Sequence, residues 1–115
     1  MAAKLDAAGM TNVMAVCAAP GLSQTNLQTT SAANGGMTTG MFIMAMSQSA
    51  EDGSMPLLSA MFGTDAANGD FYEPANLGGI YGKVTKVKFD KNSADHDQQQ
   101  MLWEKSEEAC GQFTI

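Results

Sequence analysis

The run Thr11-Asn-Val-Met-Ala-Val-Cys-Ala18 constrains this chain more than any other stretch of it. It is apolar with two valines and almost no alternation, the pattern of a strand covered on both faces. A strand of that kind belongs to a parallel sheet, and a parallel sheet requires helices to cover it. The run closes on Ala19-Pro20-Gly21. Proline stops ladder pairing and the Pro-Gly pair turns the chain, so the strand predicted over 11–18 ends there. An α/β architecture is therefore expected.

The flanks are consistent with that expectation. Residues 1–9 are alanine-rich and finish on Gly9, a composition that suits the last turns of a helix closed by a left-handed glycine. They offer no N-cap and no first-turn acid, and read as the back part of a helix. Residues 19–48 form a polar segment with Gly35, Gly36 and Gly40, then a dense apolar stretch from Met41 that suggests a mostly buried helix. A helix is expected over 49–62, opened by Ser49 with Glu51 and Asp52 in its first turn. Pro56 interrupts that pattern, so this helix either starts nearer Gly53 or bends at the proline.

Residues 70–74, Asp-Phe-Tyr-Glu-Pro, are a short strand candidate ended by proline. Residues 75–92 read as a loop or extended arm; 83–91 alternate Val and Phe with Lys86 and Lys88, by pattern an exposed strand or extended arm. A final helix is expected over 93–110, stopping at Gly111, with Trp103 as its anchor in the core. The fold class that follows is mostly helical, with one or two short parallel strands in a single partial domain.

Composition removes several functions. Of the 115 residues six are lysine, none is arginine and twelve are acidic, for a formal charge of −6. Nucleic-acid binding rests on a basic surface, so nucleic acid is excluded as a partner. No window approaches the ~18 apolar residues of a membrane span, and no transmembrane segment is expected. No secretory signal opens the sequence. Cys17 and Cys110 are accordingly read as free thiols in an intracellular reducing compartment, with a Cys17–Cys110 disulfide as the alternative.

Catalytic and metal motifs are sparse. His96, the one histidine, stands between Asp95 and Asp97 where a helix begins, and adjacent residues do not share a helix face. This is a capping position rather than a metal site. No Gly-x-Ser-x-Gly elbow occurs. Gly35-Gly-Met-Thr-Thr-Gly40 imitates a dinucleotide fingerprint but follows no strand. Met37, Met41 and Met44 recur at helical spacing as gap-filling core or an apolar lining rather than a soft-metal site.

Four segments in order carry a resemblance. Val13-Met-Ala-Val-Cys-Ala-Ala-Pro-Gly-Leu-Ser-Gln-Thr-Asn-Leu27 resembles the strand, Pro-Gly turn and threonine of short-chain dehydrogenases/reductases, most closely their retinol-dehydrogenase-like and protochlorophyllide-reductase-like branches. Ala50-Glu-Asp-Gly-Ser-Met-Pro-Leu-Leu58 is similar to the helix after their substrate loop, and Asp70-Phe-Tyr-Glu-Pro74 to their last strand, with Glu73 in place of a glycine. Leu102-Trp-Glu-Lys-Ser-Glu-Glu108 resembles their C-terminal helix.

The resemblance implies the C-terminal portion of a Rossmann-type doubly wound fold. It places Pro20, Gly21, Leu22 and Thr25 at the nicotinamide end of NAD or NADP, and residues 27–46 around the substrate. It also exposes a departure. The family's catalytic Tyr-x-x-x-Lys is missing, since Tyr72 is followed four residues on by Asn76 and Tyr81 by Thr85. In the family that pair lies on the helix before the first strand seen here, and residue 1 falls within that helix. The expectation is a fragment of an NAD(P)-dependent oxidoreductase, with no catalytic residue and no cofactor bound by this chain alone. The alternative is a non-catalytic structural or assembly subunit derived from such an enzyme. Either way, an apolar face including Val13, Val16 and the Met41 segment predicts a homo-oligomer or a protein partner.

Overall fold

A computed structural model describes residues 1–25, 46–89 and 93–113. The described chain folds as helix α1 (Ala2–Ala7), strand β1 (Cys17–Ala18), helix α2 (Ala50–Phe62), strand β2 (Phe71–Asn76), strand β3 (Tyr81–Val87) and helix α3 (His96–Cys110). The sheet order is β1-β2-β3, with β1 parallel to β2 and β2 antiparallel to β3. This is an α/β fold around a small mixed sheet. The expected short parallel strands form as the pair β1–β2, and a third strand, β3, adds antiparallel to it; within the 75–92 expected as loop or arm, residues 81–87 take the exposed-strand alternative.

α1 ends in a Schellman arrangement. Gly9 takes φ 67°, the Gly9 amide donates to the Asp6 carbonyl and the Met10 amide to that of Leu5, each at 3.0 Å. Leu5 faces inward at 5% exposure. Asn68 ties the helix to the approach of β1: its Nδ2 donates to the Ala2 carbonyl and the Asp6 carboxylate, while its Oδ1 accepts the Ala15 amide at 2.9 Å. That last bond explains why β1 is shorter than the expected 11–18. At Ala15 a side-chain oxygen and the Gly69 amide replace a neighbouring strand's ladder. Pairing begins only at Cys17, opposite Phe71.

α2 begins where its capping residues place it. The Ser49 hydroxyl accepts the Asp52 amide and also donates to the Asp52 carboxylate, both at 3.0 Å. The helix runs from Ala50 with Pro56 inside it, so a start nearer Gly53 is not what forms. Pro56 has no N–H for the Asp52 carbonyl. What holds it is burial: Gly53, Pro56 and Ala60, spaced by three and four, form the face laid against all three strands.

β2 passes through Pro74 to Asn76 instead of stopping at the proline. The ladder shows how. Asp70 and Tyr72 present their carbonyls to the Cys17 and Ala19 amides, so residue 74, of the same parity, also turns its main chain toward β1. β1 has ended there, and the N–H that Pro74 lacks is not needed. A register shift between Pro74 and Asn76 then leads into the turn at 77–80. Tyr72, Pro74 and Pro56 are among the most buried residues of the molecule.

α3 is set differently. Asp95 caps it by accepting the Gln98 amide at 3.0 Å, but the helix buries none of its residues. Trp103 is not a core anchor. It lies half-buried beside Phe113, edge to face at 6.0 Å, with the Lys4 ammonium 5.3 Å from its ring centre. No helix among the described residues is long and apolar enough to cross a membrane.

Candidate functional site

The turn after β1 is built from main-chain contacts. Gly21 takes φ 65°, and a Cβ there would lie under 3 Å from the Gly79 and Ile80 carbonyls and the Pro74 ring. Only glycine lets the two turns approach this closely. The Leu22 amide then donates to the Ile80 carbonyl at 2.7 Å, tying the Pro-Gly turn to the β2–β3 turn.

Gln48 completes the fastening. Its Nε2 donates to the Pro20 carbonyl at 2.8 Å and its Oε1 accepts the Gly82 amide at 3.0 Å. Its main chain pairs in parallel with Ser23, the Gln48 amide reaching the Leu22 carbonyl and the Gln24 amide the Gln48 carbonyl, both at 2.9 Å. The Ser23 hydroxyl also donates to the Pro20 carbonyl at 2.9 Å, and it lies against Gly53 of α2, where a Cβ would overlap it. The Pro20 carbonyl thus accepts two side-chain donors.

Pro20, Gly21 and Leu22 are therefore gathered in one rigid turn at the carboxyl end of β1. Thr25 follows the Ser23–Gln48 bridge and is exposed. Because the Pro20 carbonyl and both main-chain groups of Leu22 are engaged inside the protein, the turn serves as a platform. The Thr25 hydroxyl can both donate and accept a hydrogen bond. Of the expected substrate-pocket residues 27–46, only Met46 lies among the described residues; Met37, Met41, Met44 and Gly35 to Gly40 lie outside them.

Beside Gln48, α2 and β3 border an open cleft of about 650 Å³. Met55, Tyr81 and Val84 supply apolar walls, with Asp52, Ser59 and Lys83 among the polar lining. Sequence reasoning missed Ser23, Gln48 and Gly53. Gln48 stands 28 positions from Pro20, and nothing local marks it.

A cluster of charges stands at the other end of the sheet. The Lys86 ammonium lies 2.7 Å from the Asp70 carboxylate and 3.3 Å from that of Asp65, and donates to the Asp65 carbonyl. It also stands 5.6 Å from the Tyr72 ring centre. The hydrogen bond from Lys86, with a second from the Ala67 amide, lowers the Asp70 carboxyl below its ordinary value. The same contact with Asp70 raises Lys86. This cluster clips the loop before β2 to β3 and has no part in the Pro-Gly turn.

His96 is exposed at the first position of α3, and Cys17 and Cys110 are free, exposed thiols. Among the described residues no group of three His, Cys, Asp or Glu side chains is placed to hold a metal ion. Comparison of the chain with protein-family models, curated proteins and solved structures finds no match.

Proposed function

We propose that these residues form the C-terminal part of a short-chain dehydrogenase/reductase fold, in which Pro20, Gly21, Leu22 and Thr25 face the nicotinamide end of NAD or NADP. The observation that carries this reading is the place of the turn. It lies beyond the carboxyl end of β1, a strand joined to its parallel neighbour β2 through α2, and open α/β sheets bind ligands at that end of their strands.

The reaction is hydride transfer between a nicotinamide and a carbonyl or alcohol. The Pro-Gly platform gives the ring a close, flat approach, and the Thr25 hydroxyl matches the carboxamide. No Tyr-x-x-x-Lys occurs in the 115 residues, so the group that polarises the carbonyl and relays the proton is not among them. The chain by itself is proposed to turn over nothing.

Two measurements test this. Calorimetric titration of the purified chain with NADH and NADPH is expected to show no saturable heat, and tight binding overturns the reading. The DNA directly upstream of the first codon is expected to encode an in-frame Tyr-x-x-x-Lys. A stop codon and promoter there favour the second reading, a non-catalytic assembly subunit. That reading draws on Val13, 44% exposed ahead of β1; Val16 of the expected face is half-buried, and residues 41–45 lie outside the described residues.

A further inference from the structure

Asn68-Gly69 is one of two Asn-Gly pairs in the sequence, the other being Asn34-Gly35. A glycine after asparagine leaves nothing to hinder its main-chain nitrogen from attacking the asparagine side chain, which makes such pairs chemically labile. Here both members are built into the fold. They are the central residues of the turn Ala67–Asp70, closed by the Asp70 amide on the Ala67 carbonyl at 3.1 Å, and the turn uses the φ of 85° at Gly69. The Gly69 amide is held on the Ala15 carbonyl at 2.8 Å. The Asn68 side chain is fixed by the Ala15 amide, which it accepts, and by the Ala2 carbonyl and Asp6 carboxylate, to which it donates. The last two belong to α1, a helix of six residues with one buried side chain, Leu5, and no side-chain cap at its start. A terminal helix so lightly held opens far more often than the whole molecule unfolds.

We propose that Asn68 is a deamidation site guarded by α1, and that its conversion releases this helix permanently. With α1 lifted and Gly69 freed from Ala15, the Gly69 nitrogen gives up its proton and attacks Asn68 Cγ. An N–Cγ bond forms, the Cγ–Nδ2 bond breaks, and solvent relays the proton to the departing nitrogen, which leaves as ammonia. Water then opens the cyclic imide at either carbonyl, leaving an aspartyl or an isoaspartyl carboxylate. No oxidant or reductant takes part. The product cannot re-form the latch. A carboxylate has no donor for the Ala2 carbonyl, and it meets the Asp6 carboxylate where the Asn68 amide had lain 2.7 Å from it. The isoaspartyl product also adds a methylene to the main chain, which shifts Gly69 away from Ala15. The site is independent of the dehydrogenase reading.

The full chain is tested carrying Asn34→Gln, which removes the other Asn-Gly pair. Peptide mapping by mass spectrometry during incubation at mildly alkaline pH follows the change of amide to acid at Asn68. Its rate is expected to be at least about tenfold below that of a synthetic peptide spanning residues 66–72, since reaction waits on opening. Leu5→Ser is expected to bring the rate close to the peptide's. Asp6→Ala, at an exposed position, is the second variant should Leu5→Ser fail to fold, and is expected to accelerate the reaction several-fold. Asn68→Asp mimics the product, and is expected to quicken amide exchange in α1 while leaving that of β2 and β3 unchanged. Adding Asp6→Asn, whose amide can donate to the new carboxylate, is expected to restore part of the protection. Reaction of the full chain at the peptide's rate, no acceleration in the folded variants, or an α1 equally protected after conversion overturns the proposal.

Discussion

Gly21 and Gly53 are both glycines because other atoms occupy the space of a side chain, yet their substitutions test different physics. Gly21→Ala combines a left-handed φ with contacts on rigid carbonyl oxygens, and is expected to cost about 1–3 kcal/mol or more in urea unfolding. Gly53→Ala ought to gain about 1 kcal/mol of helix propensity. Overlap with the Ser23 side chain reverses that sign, so net destabilisation is expected. Adding Ser23→Gly removes the overlapped atoms and is expected to restore much of the loss, a coupling that a double-mutant cycle measures. Asp70 and Lys86 define a pH prediction. Asp70 is lowered from 3.8, so its contribution is present above that value and lost as pH falls through the depressed one. Lys86 is raised, so its contribution is full below 10.5 and lost as pH rises through its higher folded value. Asp70→Asn is expected to flatten the acid limb of a Tm-against-pH profile, and Lys86→Met the alkaline limb.

At the scale of elements, the helices rest on different supports. α2 combines a cap with a buried face, whereas α3 has its Asp95 cap and no buried residue. Asp95→Ala is expected to cost about 1 kcal/mol locally. It should lower ellipticity and speed amide exchange in α3 while leaving the unfolding midpoint of the sheet nearly unchanged. Strand lengths make a related point. Hydrophobic pattern placed strands over 11–18 and 70–74, because local composition reports a tendency to extend. It did not tell that Asn68 would take the place of a ladder partner at Ala15, or that β1 would end before Pro74 needed a donor. Those outcomes depend on residues more than 50 positions apart.

At the scale of the whole molecule, several large apolar side chains stay exposed among the described residues. They include Met61 and Phe62 of α2, and Val13 and Met14 ahead of β1. If association covers the apolar residues ahead of β1, the unfolding midpoint is expected to rise with protein concentration, and to lose that dependence in Val13→Lys. A midpoint independent of concentration in both forms would mean that folding draws nothing from a second copy.

Sequence by itself determined the features whose physics is local. These are the left-handed close of α1 at Gly9, the Ser49 cap, the turn at Pro20 and Gly21, and the acid excess; the expected start of α3 at residue 93 with His96 capping gave way to Asp95. Pro20, Gly21, Leu22 and Thr25 stand out as candidate ligand-facing residues by the family resemblance alone. Only the tertiary structure decided that residues 81–87 pair back on β2, that Gln48 fastens Pro20 to Gly82, that Trp103 lies outside the core and that α2 turns its large residues outward. Each depends on which distant backbone or side chain arrives at a given place, and hydrophobic pattern records how much apolar surface a segment carries but not which partner covers it.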